Sequence, residues 1–280
     1  MGTLHLVATP IGNLEDVSLR ALRVLAEADL LFAEDTRRTR ILLQRHRIEA
    51  RPLSLHAHNE QSRVARALEV LAGDGRVALV SDAGTPLVSD PGERLVAAAI
   101  EAGHRVEAVP GPSAVLAALA VSGLPVQPFT FLGFLPRRAG ARRGLLEDVR
   151  QRPETLVFFE SPRRLAKTLD EAAEVLGDRP ACVARELTKL HEEARRGPLR
   201  QLARDYAGGA AGEITVVVAG APAQDPAAPE LDDARIDEAI RDLSAAGLRP
   251  GEIASRLAAS TGQPKRELYA RVVAVRDADA

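Results

Sequence analysis

Five short apolar runs in the first 112 residues, separated by stretches of helical periodicity, constrain this chain more than any other feature of it. Residues 4–8, 30–33, 51–55, 77–80 and 106–109 read as strands. Leu19, Leu22, Val24, Leu25 and Ala28 fall at helical spacing behind Asp16 or Ser18 as N-cap. A second helix is expected to about His46. Val64, Leu68 and Leu71 mark a third behind Asn59, and residues 93–102 a fourth. Parallel strands need a crossover to return, so strand–helix alternation predicts a mostly parallel sheet with helices on both faces. The strands stop at turn chemistry: Thr9-Pro10-Ile11-Gly12-Asn13, Glu34-Asp35-Thr36-Arg37-Arg38, His56-Ala57-His58-Asn59-Glu60, Ser81 onward, and Pro110-Gly111-Pro112-Ser113. Open parallel sheets bind ligands at the carboxyl ends of their strands, where these residues stand.

A second α/β unit begins near Ser113. A small-residue helix over 114–120 leads to strands over 129–134, 155–159, 181–184 and 213–218, in a sheet expected to be mixed. Residues 136–144 read as a loop carrying Arg137, Arg138, Arg142 and Arg143. The expected division is therefore an α/β domain over 1–112, a second over 113–220, a Pro/Ala-rich extended linker over 221–230, and a helical domain over 231–280. The last is helix-turn-helix-like, with a turn at Thr261-Gly262-Gln263-Pro264. A mere packing appendage is the simpler reading of it.

Composition excludes several classes. A net charge of -2 argues against holding nucleic acid by bulk charge alone. Aromatics are 3% and Trp is absent, so a base-stacking platform is not expected. The one cysteine, Cys182, lies in an apolar strand and reads as core; neither a disulfide framework nor a cysteine zinc site can be built from it. No run is long and apolar enough for a membrane span, and the first residues do not resemble a secretory signal. The expected setting is cytoplasmic.

The run Asp82 to Gly92 holds two Gly, two Pro and two Asp among eleven residues, more than a connector needs. Glycine lets backbone approach a ligand closely. The run is not a P-loop, since no Gly-Lys-Ser/Thr follows. Nor does the first turn, with Gly12 alone, carry the three glycines of a dinucleotide fingerprint. A ligand with an adenosine but little anionic charge fits better than a polyphosphate.

Seven motifs in order carry a family resemblance. They are Thr9-Pro10-Ile11-Gly12-Asn13-Leu14, Ala33-Glu34-Asp35-Thr36-Arg37, Leu55-His56-Ala57-His58-Asn59-Glu60, the run from Ser81 to Pro91, Pro110-Gly111-Pro112-Ser113-Ala114, Phe159-Glu160-Ser161, and Ala184-Arg185-Glu186-Leu187-Thr188-Lys189. Together they resemble the ribosomal RNA small subunit methyltransferase I group of the tetrapyrrole-methylase-like (class III) methyltransferases, over about residues 4–220. The resemblance implies two α/β domains with a donor cleft between them. It implies S-adenosylmethionine as donor and 2′-O-methylation of a cytidine ribose in the decoding region of 16S rRNA. It places the donor against Pro10, Ile11, Gly84, Thr85, Val88, Ser113, Ala114, Phe159, Leu187 and Glu213. Class III relatives are generally homodimers, and the second domain leaves apolar surface and edge strands to cover, so a homodimer is expected.

A ribose hydroxyl is a weak acid, so a base or a cation near its oxygen should assist transfer. Lys189, Glu186, Glu160 and Asp35 sit at strand ends facing the expected cleft and are the candidates. The competing reading pairs Glu186 and Lys189 with their neighbours and ties Glu160 to amides of its own loop. No metal is required; His56 and His58 share a face with Glu60, a weak metal signal, and an RNA-facing loop of His56 and Asn59 is the preferred reading. Arg37, Arg38, Arg40, Arg45 and Arg47 with Arg51 form one basic cluster and Arg137, Arg138, Arg142, Arg143, Arg150 and Arg152 another; Arg163 is also assigned to the RNA. They are read as phosphate contacts, against a merely solvated basic face. The low net charge points to an assembled 30S subunit as substrate. A sister enzyme acting on a small tetrapyrrole and a non-enzymatic ribosome-binding protein are the other readings.

Overall fold

In a computed structural model of the chain, residues 2–56, 59–222, 233–261 and 263–278 are described. Residues 1–221 form one compact unit and residues 222–280 another.

The first sheet contains β1 (Thr3–Val7), β2 (Leu30–Ala33), β3 (Leu53–Ser54), β4 (Arg76–Val80) and β5 (Arg105–Val109), all parallel, in the order β3-β2-β4-β1-β5. The helices between them are α1 (Leu19–Glu27), α2 (Thr36–Arg45), α3 (Glu60–Ala72) and α4 (Glu93–Glu101). Side chains alternate across the strands and so supply two cores. Leu4, Phe32 and Leu79 pack with Leu71 of α3 and Leu95 of α4. Val7, Leu31 and Val80 pack with Leu25 of α1 and Leu43 of α2. Burial on both faces explains why these strands read as continuous apolar runs. β3 is shorter than the expected 51–55, because Pro52 has no N–H for the ladder and the strand lies at the sheet edge.

The chain leaves β1 for β2 on one side and leaves β4 for β5 on the other. β1 and β4 are neighbours, so the sheet has its topological switch point between them. The loops that follow these two strands are Thr9-Pro10-Ile11-Gly12-Asn13 and Ser81 to Gly92.

After α5 (Ala114–Ser122), the second sheet is built from β6 (Phe129–Phe134), β7 (Thr155–Glu160), β8 (Pro180–Arg185), β9 (Glu193–Pro198) and β10 (Ile214–Val218), in the order β6-β7-β10-β8-β9. β6 and β7 are parallel and the other pairings antiparallel, a mixed sheet. One face packs on α6 (Ala139–Asp148), α7 (Leu165–Leu176) and α8 (Leu199–Asp205). The other packs on α5, with Cys182 wholly buried among Val157, Ala184 and Val217. Burial pushes the Cys182 thiol above its ordinary pKa.

Two further elements differ from expectation. β9 carries the sequence Glu-Ala-Arg-Arg-Gly-Pro and was invisible to an apolar pattern, because it is an edge strand built largely of charged residues paired with their neighbours. The expected arginine loop over 136–144 is in part α6. Arg142 on that helix is a correction: its side chain is 4% exposed and its Nε donates to Glu171 Oε2 at 2.8 Å. Its Nη1 also donates to the carbonyls of Pro136 and Arg137. A guanidinium with those partners binds this loop to α7 and has no face left for a phosphate.

The C-terminal unit is three helices, α9 (Asp233–Ala245), α10 (Pro250–Thr261) and α11 (Lys265–Ala278), around Ile236, Ile240, Ile253, Leu257, Leu268 and Val272. Arg271 of α11 bonds Asp233 and Asp237 of α9. The expected 221–230 linker lies mostly outside the described residues.

Removing one partner of a buried ion pair strands the other charge. Glu171→Ala is expected to lower stability by about 3 kcal/mol, seen as a lower midpoint in urea denaturation.

Candidate functional site

A cavity of about 500 Å³ opens at the switch point of the first sheet, bounded on its far side by the second. Its floor is the loop after β4. Gly84 pairs with Thr9 through two backbone hydrogen bonds of 2.9 Å, which ties the β4 loop to the β1 loop. Gly84 has φ +80, and Leu87 and Ser89 also have positive φ. Three left-handed residues within six positions bend this loop around the cavity, and Leu87 and Ser89 hold a conformation that costs non-glycine residues energy.

Ile11, Ala83, Val88, Val115, Phe134 and Phe159 give the cavity its apolar walls. Gly84, Thr85, Ser113, Ala114 and Glu213 also line it. Of the residues assigned to the donor by resemblance, Pro10 and Leu187 stand outside the lining. Leu187 is instead packed behind Ile11 in the core under α5.

The charges are lopsided. Glu34, Asp82, Asp90, Glu160 and Glu213 line the cavity, and among the described residues lining it Arg38 is the only cation. Arg38 stands 3.8 Å from Asp82 and 3.9 Å from Glu213, spanning the two sheets. Asp90 is pushed up to about 7 by burial and by the neighbouring Glu34 and Asp82 carboxylates. Burial and Asp82 also raise Glu34, while a hydrogen bond with Asp90 acts to lower it. Glu34 and Asp90 were not singled out from the sequence. Asp35 was, as a carboxylate at a strand end facing the expected cleft.

The four expected catalytic side chains are otherwise engaged. Asp35 caps α2, accepting from Arg37 N at 2.8 Å, and hydrogen bonds from Arg37 hold it at about 2. That is too weak a base for a hydroxyl. Glu160 has a side chain 1% exposed and accepts from Ser161 N, Thr168 Oγ1 and Arg164 Nη2. It anchors its loop. Lys189 donates to Glu186 at 2.8 Å and Glu213 at 3.2 Å. Burial acts to lower the Lys189 pKa, but those carboxylates raise it, so it stays a cation. The hydrogen bond from Lys189 lowers Glu186. Neither Glu186 nor Lys189 lines the cavity; the pair braces Glu213, which does.

The expected RNA contacts divide likewise. Arg137, Arg138 and Arg163 are exposed on loops next to the cavity, and Arg164 ties that region together by donating to Leu135 O and Glu160. Arg37 is exposed but paired with Asp35, and Arg143 with Glu147 and Glu174. Asn59 occupies the N-cap position of α3 without capping it; its amide donates to Ser54 O and its oxygen accepts from His56 N. It staples the loop. His58 lies outside the described residues. Among the described residues no group of three or more His, Cys, Asp or Glu is placed to hold a metal ion.

The chain matches the family described as Tetrapyrrole (Corrin/Porphyrin) Methylases over residues 3–203. It is 49% identical to "Ribosomal RNA small subunit methyltransferase I" of Mesorhizobium japonicum, over 98% of this chain and 92% of that protein. The chain belongs to the tetrapyrrole methylase family. A protein of the same name from Mycobacterium tuberculosis is 48% identical over 97% of this chain and 95% of its own length. Among solved structures, uroporphyrin-III-C-methyltransferase from Thermus thermophilus aligns with a TM-score of 0.53 at 22% identity, over 78% of this chain and 94% of that one. That likeness is one of fold.

A methylase of this family implies a donor of the S-adenosylmethionine type, and the residues present fit it. The volume lies in the range of about 300–1,000 Å³ usual for small-molecule sites. The lining is apolar with an acidic excess, which suits a cationic sulfonium and would repel a polyphosphate.

The raised Asp90 has a consequence for stability. The folded protein keeps a proton on Asp90 at pH values where the unfolded chain, at about 4, has lost it. The folded state then binds more protons, so stability falls as pH rises from about 4 to about 7. Asp90→Asn is expected to flatten that decline and to be more stable than wild type at pH above about 7, measured by urea denaturation across pH.

Proposed function

We propose that this methylase transfers a methyl group from S-adenosylmethionine to the 2′-oxygen of a cytidine ribose in the decoding region of 16S rRNA, on the assembled 30S subunit, in the cytoplasm. The observation that carries the chemistry is the acid-lined cavity at the switch point; the substrate class rests on the names of the full-length relatives.

S-adenosylmethionine, when bound, supplies an electrophilic methyl group on a positively charged sulfur. Ile11, Gly84, Thr85, Val88, Ser113, Ala114 and Phe159 would hold it and exclude water. Fixing donor and acceptor together in that space replaces a bimolecular encounter with an oriented one. Glu213, braced by Lys189 and Arg38, places a fixed negative charge on the second sheet's side of the cavity. Arg137, Arg138 and Arg163 would meet the RNA backbone, which positions the strand without reading it. Reading the cytidine requires its base to be turned out of the stack.

The test is methyl transfer from labelled S-adenosylmethionine to 30S subunits lacking the modification, with naked 16S rRNA alongside. Label recovered as 2′-O-methylcytidine from 30S and not from naked RNA is the expected result. A bound donor with neither RNA labelled would refute the RNA reading in favour of a small-molecule acceptor.

The active form is proposed to be a homodimer. α5 is apolar all round, the signature of a helix buried on every side, yet Leu116 on it is 58% exposed. Light scattering is expected to give twice the chain mass of 29.9 kDa, and Leu116→Asp to shift it toward the monomer. A wild-type mass near 30 kDa would overturn the dimer.

A further inference from the structure

Five carboxylates line the cavity, and their partners set two of them apart. Asp82 accepts from Asp35 N at 2.7 Å and faces Arg38. Glu160 is paired with Arg164, and Glu213 with Lys189 and Arg38. Glu34 and Asp90 make no ion pair among the described residues. They follow β2 and β4, adjacent strands in the sheet, and line one cavity. Burial and the Glu34 and Asp82 carboxylates push Asp90 up to about 7, because clustered carboxyl groups cannot comfortably all ionise. Ser89, directly before Asp90, is left-handed at φ +70, a conformation that costs a non-glycine residue energy.

Building on the methyl-transfer reading of the cavity, we propose that Glu34 and Asp90 act as one proton-accepting pair for the attacking ribose hydroxyl, with Asp90 the acceptor and Glu34 the group that sets its basicity. In the step, the hydroxyl O–H bond breaks and its proton passes to a carboxylate oxygen of the pair. An O–C bond forms to the methyl group as the S–C bond breaks, and that electron pair stays on sulfur, which becomes a neutral thioether. The proton is then held between the two carboxyls and leaves to water. The pair is competent when doubly ionised, and it titrates as a unit. Asp82, Asp35 and the Arg38 guanidinium face it, and Ser81, whose hydroxyl donates to Gly84 O at 3.0 Å, acts to lower Asp90. Asp90, pushed up to about 7, stands where a general base works best at neutral pH.

The first test needs no RNA. A cationic donor next to the pair should drive its proton off. Titration calorimetry of S-adenosylmethionine at pH about 6.5, in two buffers of different ionisation enthalpy, is expected to show proton release for wild type and for Asp90→Glu. Asp90→Asn and Glu34→Gln should release little, and uncharged S-adenosylhomocysteine should release little from wild type. Equal release by wild type and Asp90→Asn would overturn the proposal, whatever the acceptor. The second test is single-turnover transfer to 30S subunits. The wild-type rate is expected to rise about tenfold per pH unit below 7 and then level off. Glu34→Gln should move the inflection to lower pH, because a like charge is removed. Asp90→Asn should lower kcat about 100-fold or more with the KM for 30S unchanged. Wild-type rates and pH profile in both variants would overturn the pair as base and leave the RNA reading standing. No transfer by wild type, with proton release intact, would overturn the RNA reading and leave the pair as the base for another acceptor.

Discussion

The junction between the β1 loop and the loop after β8 is the contact on which everything else rests. A side chain at Gly12 would place its Cβ 2.5 Å from Lys189 Cγ, 2.7 Å from Thr188 Oγ1 and 2.9 Å from Leu187 O. Glycine there is a matter of space: the β1 loop packs directly on the side chains of Thr188 and Lys189 and the carbonyl of Leu187. The amide of Asn13 donates to Thr188 Oγ1 at 2.9 Å, and Ile11 and Leu187 share one apolar core. Glu186 and Thr188 are themselves left-handed, so this second loop holds a strained form to make the fit. The cavity exists because the sheets are pinned here, and widening this contact would separate Glu213 from the acidic wall.

The acidic wall follows from the topology. Strands β2, β4 and β1 are adjacent, and each delivers its next residues to the same end of the sheet. Glu34, Asp82 and Asp90 are therefore brought together although they are far apart in the chain. Asp82, Glu160 and Glu213 are matched with a cation or an amide. Glu34 and Asp90 make no ion pair among the described residues, and they line the cavity, where a cationic ligand can supply the missing charge. Leaving them unmatched costs stability near neutral pH, which is the ordinary relation between a site's function and the stability of the fold around it.

Much of this was legible in the residues. The strands buried on both faces show as unbroken apolar runs, and the glycine and proline clusters mark the loops that line the cavity. β9 was not legible, because an edge strand needs backbone partners and has no apolar face to advertise them. The buried Arg142 was not either, since an arginine followed by another arginine reads as surface until Glu171 is seen across from it. Choosing between Glu34 and Asp35 was equally out of reach. They are adjacent carboxylates at one strand end, and only the packing shows that Asp35 turns to cap α2 while Glu34 faces the cavity.

The sequence by itself determined the class of fold, the seven motifs that place the chain in its family, and which loops border the site, because period, turn residues and glycine spacing are local properties. Tertiary structure alone decided the roles of the charged side chains. A carboxylate's basicity and an arginine's availability depend on what stands within a few ångströms, and in a doubly wound sheet those neighbours arrive from other strands.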